Sequence, residues 1–396
     1  MRITFSLTSL LLAFTCLAEP KTPWNLDLLS NAPAYRENTE FTEPGLKAIE
    51  FDGLPYQGKP TRVFAWLGLP REAATGKVPA MVLVHGGGGT AHARWVKLWN
   101  SRGYAAIAMD TCGKFGGDSK SARRTEFSGP PGWDAAYQQI GAPIEDQWPY
   151  HAVANAILAH SLIRSLPEVD AQRTGVTGIS WGGYLTCIIA GVDSRFKLAA
   201  PVYGCGFLNH GSVWVPAYEK MGPEKSGKWL GLWDPSVYLS NAKMPMLWID
   251  GNVDFAYPLA AVQESYRLPK GDRFLSIIPG MKHSHPAGEV PEEIHAFADQ
   301  ILRGGVPLPR CVSTEANGRG VKAVFKSKTK LVKAELVYTP DSGPWQKRKW
   351  TVEPAELDAA TRTVTAKVPV EATAFYLNVI DERNLVASSE HVAFEK

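Results

Sequence analysis

The sequence GISWG, at residues 178–182, decides the fold of this chain. It follows a short apolar run that begins at Thr174, and it leads into residues 183–190, which are typical of a buried helix. A serine between two glycines at a strand-to-helix turn is typical of a nucleophile lifted clear of a sheet. The glycines are needed because a side chain at either position would collide with the neighbouring strand or helix. The helix N-terminus behind Ser180 would help to hold negative charge.

The composition is that of a folded protein with a large core. The chain has 396 residues, of which 45% are hydrophobic, which suggests two or three domains. Its net charge is only +3, so no overall field favours nucleic acid or a membrane surface as a partner. The 13 tryptophans are more than usual; many are expected in the core, and some could line a groove for a sugar or another flat substrate.

The first residues have the pattern of an export signal. A positive start at Arg2 precedes an apolar run over residues 3–17, which is too short to span a bilayer comfortably. We therefore predict a signal peptide over residues 1–18 and a secreted or periplasmic protein. A membrane anchor, a buried first strand or a lipid-bearing Cys16 are the alternatives. Since no later segment is a candidate transmembrane helix, no integral membrane segment is expected after signal removal.

Four cysteines follow the predicted signal. Their spacings match no zinc or haem pattern, so no metal site is predicted, and no organic cofactor is implied either. Cys187, in the helix after the serine, is expected to be an inert core thiol. An oxidising compartment would permit a disulfide, but the sequence does not indicate which pair. The four are Cys112, Cys187, Cys205 and Cys311.

The chain divides into regions of different pattern. Residues 19–60 are polar and proline-containing, and we expect them to form an N-terminal extension that wraps the surface. Strands and helices alternate over residues 61–305, which predicts a mostly parallel sheet flanked by helices. Short alternating runs over residues 311–396 predict a small C-terminal β-sandwich, similar to an immunoglobulin domain. The lysines between Lys322 and Lys349 indicate a solvated face or, alternatively, contact with an acidic polysaccharide.

Two stretches within the larger region are irregular. Residues 113–145 form a long loop rich in glycine and proline, and residues 206–243 carry several aromatic residues and could form a cap near the site. Each could contact substrate or merely decorate the surface. Between them, residues 146–165 are typical of a long helix with Asp146 as its cap.

An activated serine requires a base, an orienting carboxylate and donors for the oxyanion. Asp254 follows the strand over residues 245–249 through a glycine turn, and it is the predicted acid. Asp250 competes with it at the strand end. The structural alternative for Asp254 is a turn-forming side chain that binds local backbone amides.

Two histidines compete for the role of base. His283 and His285 follow the strand over residues 274–278 and a Pro-Gly turn. We predict His283 as the base and keep His285 as the alternative; the other histidine would line the site or bond to backbone. The pair could also bind a metal, but a third ligand is missing nearby in the sequence.

The glycine run at residues 86–89 follows a buried strand over residues 78–84. Such a run lets backbone amides approach a reacting carbonyl oxygen. We predict the amide of Trp181 and one amide from Gly86 to Gly88, with Gly87 favoured, as the oxyanion donors. A phosphate-binding loop would need a lysine at its end, which is absent. His85 is expected to hold the loop. The candidate substrate-binding residues are His85, Asp110 and Trp148.

Taken together, these residues resemble the bacterial acetyl-xylan-esterase-like α/β-hydrolases, which neighbour the dienelactone hydrolase and prolyl oligopeptidase families. The resemblance implies an α/β-hydrolase fold and serine hydrolase chemistry, with Ser180, Asp254 and His283 as nucleophile, acid and base. It covers roughly residues 60–304 and rests on residues 83–90, 106–110, 175–184, 251–258 and 282–286.

We therefore expect a secreted serine carboxylesterase that hydrolyses short acyl esters, such as the acetyl groups of a polysaccharide. One alternative is a serine peptidase of the prolyl oligopeptidase type, which would use the same three residues on amides. Another is a non-catalytic carbohydrate-binding or envelope protein that retains the hydrolase fold. The sequence leaves the natural ester, the acyl-length limit, the oligomeric state and the role of the sandwich open.

Overall fold

The structure is a computed structural model that describes residues 22–116, 123–124, 129–135 and 137–394. The predicted export signal therefore lies outside the described residues. Within those ranges, no helix is both long and apolar enough to cross a membrane.

The secondary structure of the described residues alternates between strands and helices up to Arg303 and then consists almost entirely of strands. The strands are β1 (Tyr35–Glu37), β2 (Lys47–Tyr56), β3 (Lys59–Gly68), β4 (Val78–Val84), β5 (Ala105–Met109), β6 (Lys114–Phe115), β7 (Arg123–Arg124), β8 (Val169–Ile179), β9 (Leu198–Val202), β10 (Met246–Gly251), β11 (Arg273–Ile278), β12 (Arg310–Asn317), β13 (Gly320–Lys326), β14 (Leu331–Thr339), β15 (Thr351–Pro354), β16 (Glu356–Asp358), β17 (Thr363–Lys367), β18 (Ala374–Asp381), β19 (Val386–Ser388) and β20 (Val392–Ala393). The helices are α1 (Leu26–Leu29), α2 (Ala93–Ser101), α3 (Trp148–Ser165), α4 (Trp181–Val192), α5 (Val215–Met221), α6 (Pro223–Trp233), α7 (Ser236–Leu239), α8 (Leu259–Tyr266), α9 (His285–Glu289) and α10 (Glu292–Arg303).

A nine-stranded sheet is the centre of the larger domain. Its order is β1-β2-β3-β5-β4-β8-β9-β10-β11. The pairs from β5 onward are parallel, whereas β1, β2, β3 and β5 pair antiparallel. Every residue of β4 is buried, as expected for a central strand covered on both faces. The predicted fold class, a mostly parallel sheet flanked by helices and followed by an antiparallel sandwich, is confirmed.

The N-terminal region differs from the expectation that it wraps the surface. Strands β1 and β2 extend the main sheet, and β2 pairs with β3 over most of its length. In β2, Ile49 and Phe51 are fully buried. The alternation of these apolar residues with polar neighbours is short, and the prolines and charges around it obscured the strand pattern.

Helix α3 begins two residues later than the sequence indicated. Its cap position is Gln147, while Asp146 ends a short 3₁₀ helix and does not cap α3. The Oδ1 atom of Asp146 accepts a hydrogen bond from the amide of Gln57, at 2.8 Å, so a contact from the β2–β3 turn takes the place of the predicted cap.

The two irregular stretches contain short elements. The loop over residues 113–145 includes the β6–β7 hairpin, in its described part. The aromatic stretch over residues 206–243 folds into α5, α6 and α7, with Trp229 and Trp233 buried. The cysteines of the described ranges are unpaired, and Cys187 is fully buried as expected.

The C-terminal region forms two antiparallel sheets, with the orders β12-β13-β17-β16 and β15-β14-β18-β19. Strand β18 is buried along its whole length because its two faces pack against different cores. Phe375 and Leu377 point into the sandwich, while Tyr376 belongs to the core of the larger domain. Successive side chains of a strand point to opposite faces, so neighbouring residues of β18 pack into different cores.

The sandwich also caps the last strand of the main sheet. The amide of Ile277 in β11 donates to the Ser388 hydroxyl at 2.7 Å, and its carbonyl accepts from the Asn378 amide group at 3.1 Å. The Ser388 hydroxyl donates in turn to the Asn378 carbonyl oxygen at 2.6 Å. An edge strand exposes unpaired backbone groups, and here side chains of the sandwich satisfy them.

His160 of α3 is fully buried. Its Nδ1 lies 2.8 Å from an oxygen of Asp193 and its Nε2 lies 2.8 Å from the Thr174 hydroxyl. The ring also stacks on Phe196 with 3.5 Å between centroids. Burial lowers the pKa of His160 to about 4, because the charged imidazole is poorly solvated there.

We predict that His160 makes the protein acid-sensitive. Its pKa in the folded state lies below the ordinary value of 6.5, so the unfolded state binds the proton more readily. Its contribution is therefore complete above pH 6.5 and declines by about 3 kcal/mol as the pH falls toward 4. Thermal unfolding at pH 7.5, 6 and 4.5 should show a smaller acid-induced loss of Tm in His160→Gln than in the natural protein. The exposed His210→Gln is the control, and an equal loss in all three proteins would contradict the prediction.

Candidate active site

The turn between β8 and α4 carries Ser180 in a conformation that a non-glycine residue rarely adopts, with φ 60° and ψ −122°. A Cβ atom at Gly178 would lie 2.2 Å from the carbonyl oxygen of Gly182. A Cβ atom at Gly182 would lie 2.0 Å from the carbonyl oxygen of Val84. Both glycines are therefore required by contact with backbone, which cannot move aside as a flexible side chain can.

Three side chains that are far apart in the chain meet above this turn. The Ser180 hydroxyl lies 2.8 Å from Nε2 of His283. The other ring nitrogen of His283, Nδ1, lies 2.5 Å from Oδ2 of Asp254. The parallel sheet brings them together because β8, β10 and β11 all end at the same edge. An imidazole held in this way can accept the serine proton while the carboxylate stabilises the resulting cation.

The two aspartates after β10 have different environments. Asp254 accepts the amides of Ala256 and Tyr257 on Oδ1, each at 2.7 Å, and directs Oδ2 to His283. It therefore combines the turn-forming role with the contact to the histidine. Asp250 is buried beside it, and burial together with the charge of Asp254 raises its pKa well above the ordinary value. This favours the protonated form of Asp250.

Neighbouring side chains fix the loop that carries His283. The ring of Tyr203 stacks on the imidazole with 4.7 Å between centroids, and its hydroxyl donates to the carbonyl of Lys282 at 2.8 Å. Asn252 accepts the amide of Gly280 at 2.9 Å, which ties the aspartate loop to the histidine loop. The imidazole is thus held by its own backbone as well as by its partners.

His285, the alternative base, lies elsewhere. Its Nδ1 is 2.5 Å from Oε1 of Glu289, one turn further along α9. The ring lies between His92 and Trp95, at centroid distances of 4.0 and 5.1 Å. Of the two histidines, the structure brings His283 to Ser180.

The glycine loop is held by buried polar side chains. His85 lies with Nδ1 2.7 Å from the Gly86 carbonyl oxygen and accepts the amide of Thr111 on Nε2 at 2.9 Å. Asp110 accepts the amides of Cys112 and Lys114, at 2.9 and 2.8 Å. His85 and Asp110 therefore shape the loops around the site from inside.

The burial of three side chains does not fit their predicted role in substrate binding: these are His85, Asp110 and Trp148. Each of these residues is only 1% exposed. Trp148 packs edge-on against Trp181 and donates its indole N–H to the carbonyl of Thr111 at 2.7 Å. The three residues therefore lie beneath the surface of the site, whereas the sequence predicts that they contact substrate.

Gly87 and Trp181, the predicted oxyanion donors, lie next to one another. A Cβ atom at Gly87 would come within 2.6 Å of the indole of Trp181 and within 2.4 Å of that of Trp133. The amide of Trp181 is the first of α4, where a helix leaves N–H groups without intrahelical partners. The loop and the helix start thus supply backbone amides on one side of Ser180.

An open cavity of about 760 Å³ reaches Ser180 and His283. Its other walls include Glu43, Trp66 and Arg94. Arg94 lies at the start of α2, and its side chain is 53% exposed. A volume of this size takes a ligand far larger than an acyl group of two carbons.

Sequence reasoning missed three residues around the site. Arg94 and Glu289 form an ion pair at 3.0 Å across 195 positions of the chain, which no local pattern indicates. Phe255 is 58% exposed although its ring lies 4.8 Å from that of His283. Its position directly after the predicted acid was the one available signal.

The described residues contain no group of three or more histidine, cysteine, aspartate or glutamate side chains placed to hold a metal ion. The metal-binding alternative for the histidine pair therefore gains no support, since each of the two bonds to a different carboxylate.

Comparison with known proteins agrees with this geometry. The acetyl xylan esterase family matches residues 29–213, and the prolyl oligopeptidase family matches residues 132–299. The chain has the α/β-hydrolase fold and resembles the acetyl xylan esterases over residues 29–213. A second likeness, to the prolyl oligopeptidase family, covers residues 132–299.

Solved structures show the same fold for this hydrolase. Acetyl xylan esterase 1 from Thermoanaerobacterium sp. JW/SL YS485 superimposes with a TM-score of 0.54 at 18% identity, covering 71% of this chain and 93% of that protein. The acetyl xylan esterase from Paenibacillus sp. R4 gives 0.53 at 24% identity, covering 70% and 92%. These likenesses concern the fold.

One curated relative is a probable peptidase. The hydrolase is 24% identical over 242 residues to a probable dipeptidyl-peptidase 5 of Aspergillus terreus, which covers 55% of this chain and 30% of that protein. The chain thus spans about a third of the length of the curated relatives it matches.

We predict that Gly182→Ala strongly destabilises this hydrolase. The added methyl group would lie 2.0 Å from the Val84 carbonyl oxygen, so α4 must move away from β4. Thermal unfolding and hydrolysis of 4-nitrophenyl acetate should both show a loss.

The matched control is Gly231→Ala in the exposed part of α6, where an added Cβ meets nothing within 4 Å. It should be neutral or raise stability by roughly 0.5–1 kcal/mol, as alanine favours a helix over glycine. A Gly182→Ala protein as stable as this control would contradict the close contact.

Proposed function

We propose that this hydrolase is an exported serine carboxylesterase that removes short acyl groups, with acetyl groups on a polysaccharide as its substrate class. The observation that carries the proposal is the relay of Ser180, His283 and Asp254, joined at 2.8 and 2.5 Å. The match to the acetyl xylan esterase family supports the choice of ester. Export is inferred from the pattern of residues 1–18 alone.

In the first step, the Ser180 oxygen attacks the ester carbonyl carbon and its proton passes to Nε2 of His283. Asp254 keeps Nδ1 of the ring protonated and stabilises the imidazolium. The tetrahedral intermediate collapses as the bond to the alcohol oxygen breaks, and His283 gives its proton to that oxygen. A water molecule then attacks the acyl-enzyme through the same base, and the acid is released.

The negative oxygen of each tetrahedral intermediate would be bound by the amides of Gly87 and Trp181. Such donors act more strongly in the transition state than in the ground state, and one is worth roughly 3–4 kcal/mol in comparable hydrolases. The indoles of Trp133 and Trp181 pack around Gly87 and restrict where its amide can lie.

The second candidate is a serine peptidase, because the prolyl oligopeptidase family matches residues 132–299 and a curated relative is a probable dipeptidyl-peptidase. The relay would attack an amide by the same steps. The acetyl xylan esterase match, which covers residues 29–213, favours the ester.

We expect the mature protein to hydrolyse 4-nitrophenyl acetate and acetylated xylan faster than 4-nitrophenyl octanoate, and to leave a proline 4-nitroanilide intact. Ser180→Ala should abolish the activity on both esters, since it removes the attacking oxygen. Release of 4-nitrophenol and of acetate measures the two reactions. Cleavage of the anilide alone would favour the peptidase, and ester hydrolysis that survives Ser180→Ala would refute the relay.

A second test separates the two aspartates. Asp254→Asn should lower kcat by about 10³- to 10⁴-fold, because the amide favours the wrong tautomer of His283. Asp250→Asn is the matched control: burial raises the pKa of Asp250, and the neutral amide resembles the protonated carboxyl. It should keep most of the activity. A larger loss in Asp250→Asn than in Asp254→Asn would assign the acid to Asp250.

A further inference from the structure

The proposed mechanism uses one of the two neighbouring histidines and leaves the other unexplained. His285 lies 2.5 Å from Oε1 of Glu289, so two histidine–carboxylate pairs occupy the same end of the sheet. Burial lowers the pKa of His285, which favours a neutral ring that donates from Nδ1 to the carboxylate. Glu289 is itself buried and requires a cation nearby.

That cation is Arg94. Its Nε and Nη2 atoms both donate to Oε1 of Glu289, at 3.1 and 3.0 Å. Two donors on one acceptor fix the plane of the guanidinium group, whereas its Nη1 has no hydrogen-bond partner among the described residues. The side chain is more than half exposed and lines the cavity that contains Ser180 and His283. His285 and Glu289 thus hold the planar guanidinium group of Arg94, its fork of N–H donors, at the wall of the active site.

The N–H groups of Arg94 that face the cavity can donate to oxygen acceptors of a bound substrate, and a short acyl group offers few of these. The carbonyl oxygen of the ester is the one acceptor of an acetyl group, and the backbone amides at Gly87 and Trp181 would bind it. A substrate acceptor that binds Arg94 would therefore belong to the alcohol part of the substrate. The cavity of about 760 Å³ has room for such a group.

The charges around the cavity indicate an uncharged alcohol. Glu289 balances Arg94, and Lys97 forms an ion pair with Glu43 on the same side. Lys114 is a third cation near the cavity, and its ammonium group donates to the carbonyl oxygen of the lining residue Gly88. Among the described residues, Arg94 together with Glu289 therefore presents directed donors with little net charge. Because Glu289 already balances the charge of Arg94, the remaining N–H groups of Arg94 can donate to the neutral hydroxyl oxygens of a polyhydroxylated ring.

We propose that Arg94 binds the hydroxyl oxygens of a neutral polyhydroxylated leaving group, and that His285 and Glu289 are positioning residues that orient it. This inference rests on the proposed esterase function and assigns the substrate's alcohol to a particular wall of the site. It also accounts for the doubled histidine, since one ring serves the serine and the other serves the arginine.

The test uses Arg94→Lys, which keeps a cation beside Glu289 but removes the planar fork. We expect KM for an acetylated xylo-oligosaccharide to rise about 5- to 10-fold with kcat nearly unchanged, because binding is lost equally in the ground and transition states. The KM for 4-nitrophenyl acetate, which lacks hydroxyl groups, should stay within 2-fold. Glu289→Gln should shift KM in the same direction and again for the sugar ester alone.

Arg102→Lys is the matched control, because Arg102 lies at the end of the same helix and pairs with the exposed Glu292 outside the cavity. It should change neither KM. Equal changes of both KM values in Arg94→Lys, or no change in a variant with unaltered Tm, would overturn the inference while leaving the esterase proposal intact. Loss of 4-nitrophenyl acetate hydrolysis in the natural protein would refute the esterase proposal itself.

Inhibition of the unaltered protein provides a test that needs no variant. Unacetylated xylo-oligosaccharide should compete with 4-nitrophenyl acetate, with an inhibition constant that changes little between 20 and 300 mM salt. A lack of competition at concentrations up to tens of millimolar would overturn the inference. Stronger, salt-sensitive competition by glucuronate would overturn the assignment to a neutral ligand.

Discussion

The site depends on the close approach of α4 to β4, which leaves no room for a side chain between them. Gly182 lies so near the Val84 carbonyl oxygen that an added Cβ would overlap it at 2.0 Å. This contact holds the first turn of the helix against the sheet and keeps Ser180 at a positive φ of 60°. Hydrogen bonds on either side of the serine, from its amide to Val202 and to its carbonyl from Tyr184, secure the turn. The direction of the hydroxyl and of the Trp181 amide follows from that single packing constraint.

Local chemistry made much of the relay predictable. A serine between required glycines, an aspartate after a strand and a histidine after the next strand each carry a signal within a few residues. The parallel sheet then brings them together without further information, because its strands end at one edge. The choice between His283 and His285 was not local. It depends on Tyr203 and Glu289, whose contacts with the two rings can be seen only in the folded chain.

The remaining site features depend on distant partners. The sequence around Arg94 does not indicate a special role, because its partner Glu289 lies 195 residues later in the chain. The burial of Trp148 was equally difficult to predict from the sequence, because a tryptophan near a strand end can face a cavity or the core. Around Trp181, indole and phenol rings of Trp148, Tyr184 and Trp214 lie within 5.5 Å between centroids. Several of the abundant tryptophans therefore pack around the start of α4, which carries the proposed oxyanion amide, whereas the composition alone also allowed a sugar-binding groove.

The C-terminal sandwich covers the edge strand β11, so two regions that are distant in the sequence are in contact. Asn378 and Ser388 satisfy the backbone of Ile277, and the same strand runs on into the turn that bears His283. A sandwich lost through proteolysis would leave this strand with bare backbone groups, ready to pair with another molecule. The C-terminal sandwich therefore shields part of this edge of the sheet from pairing with a second strand.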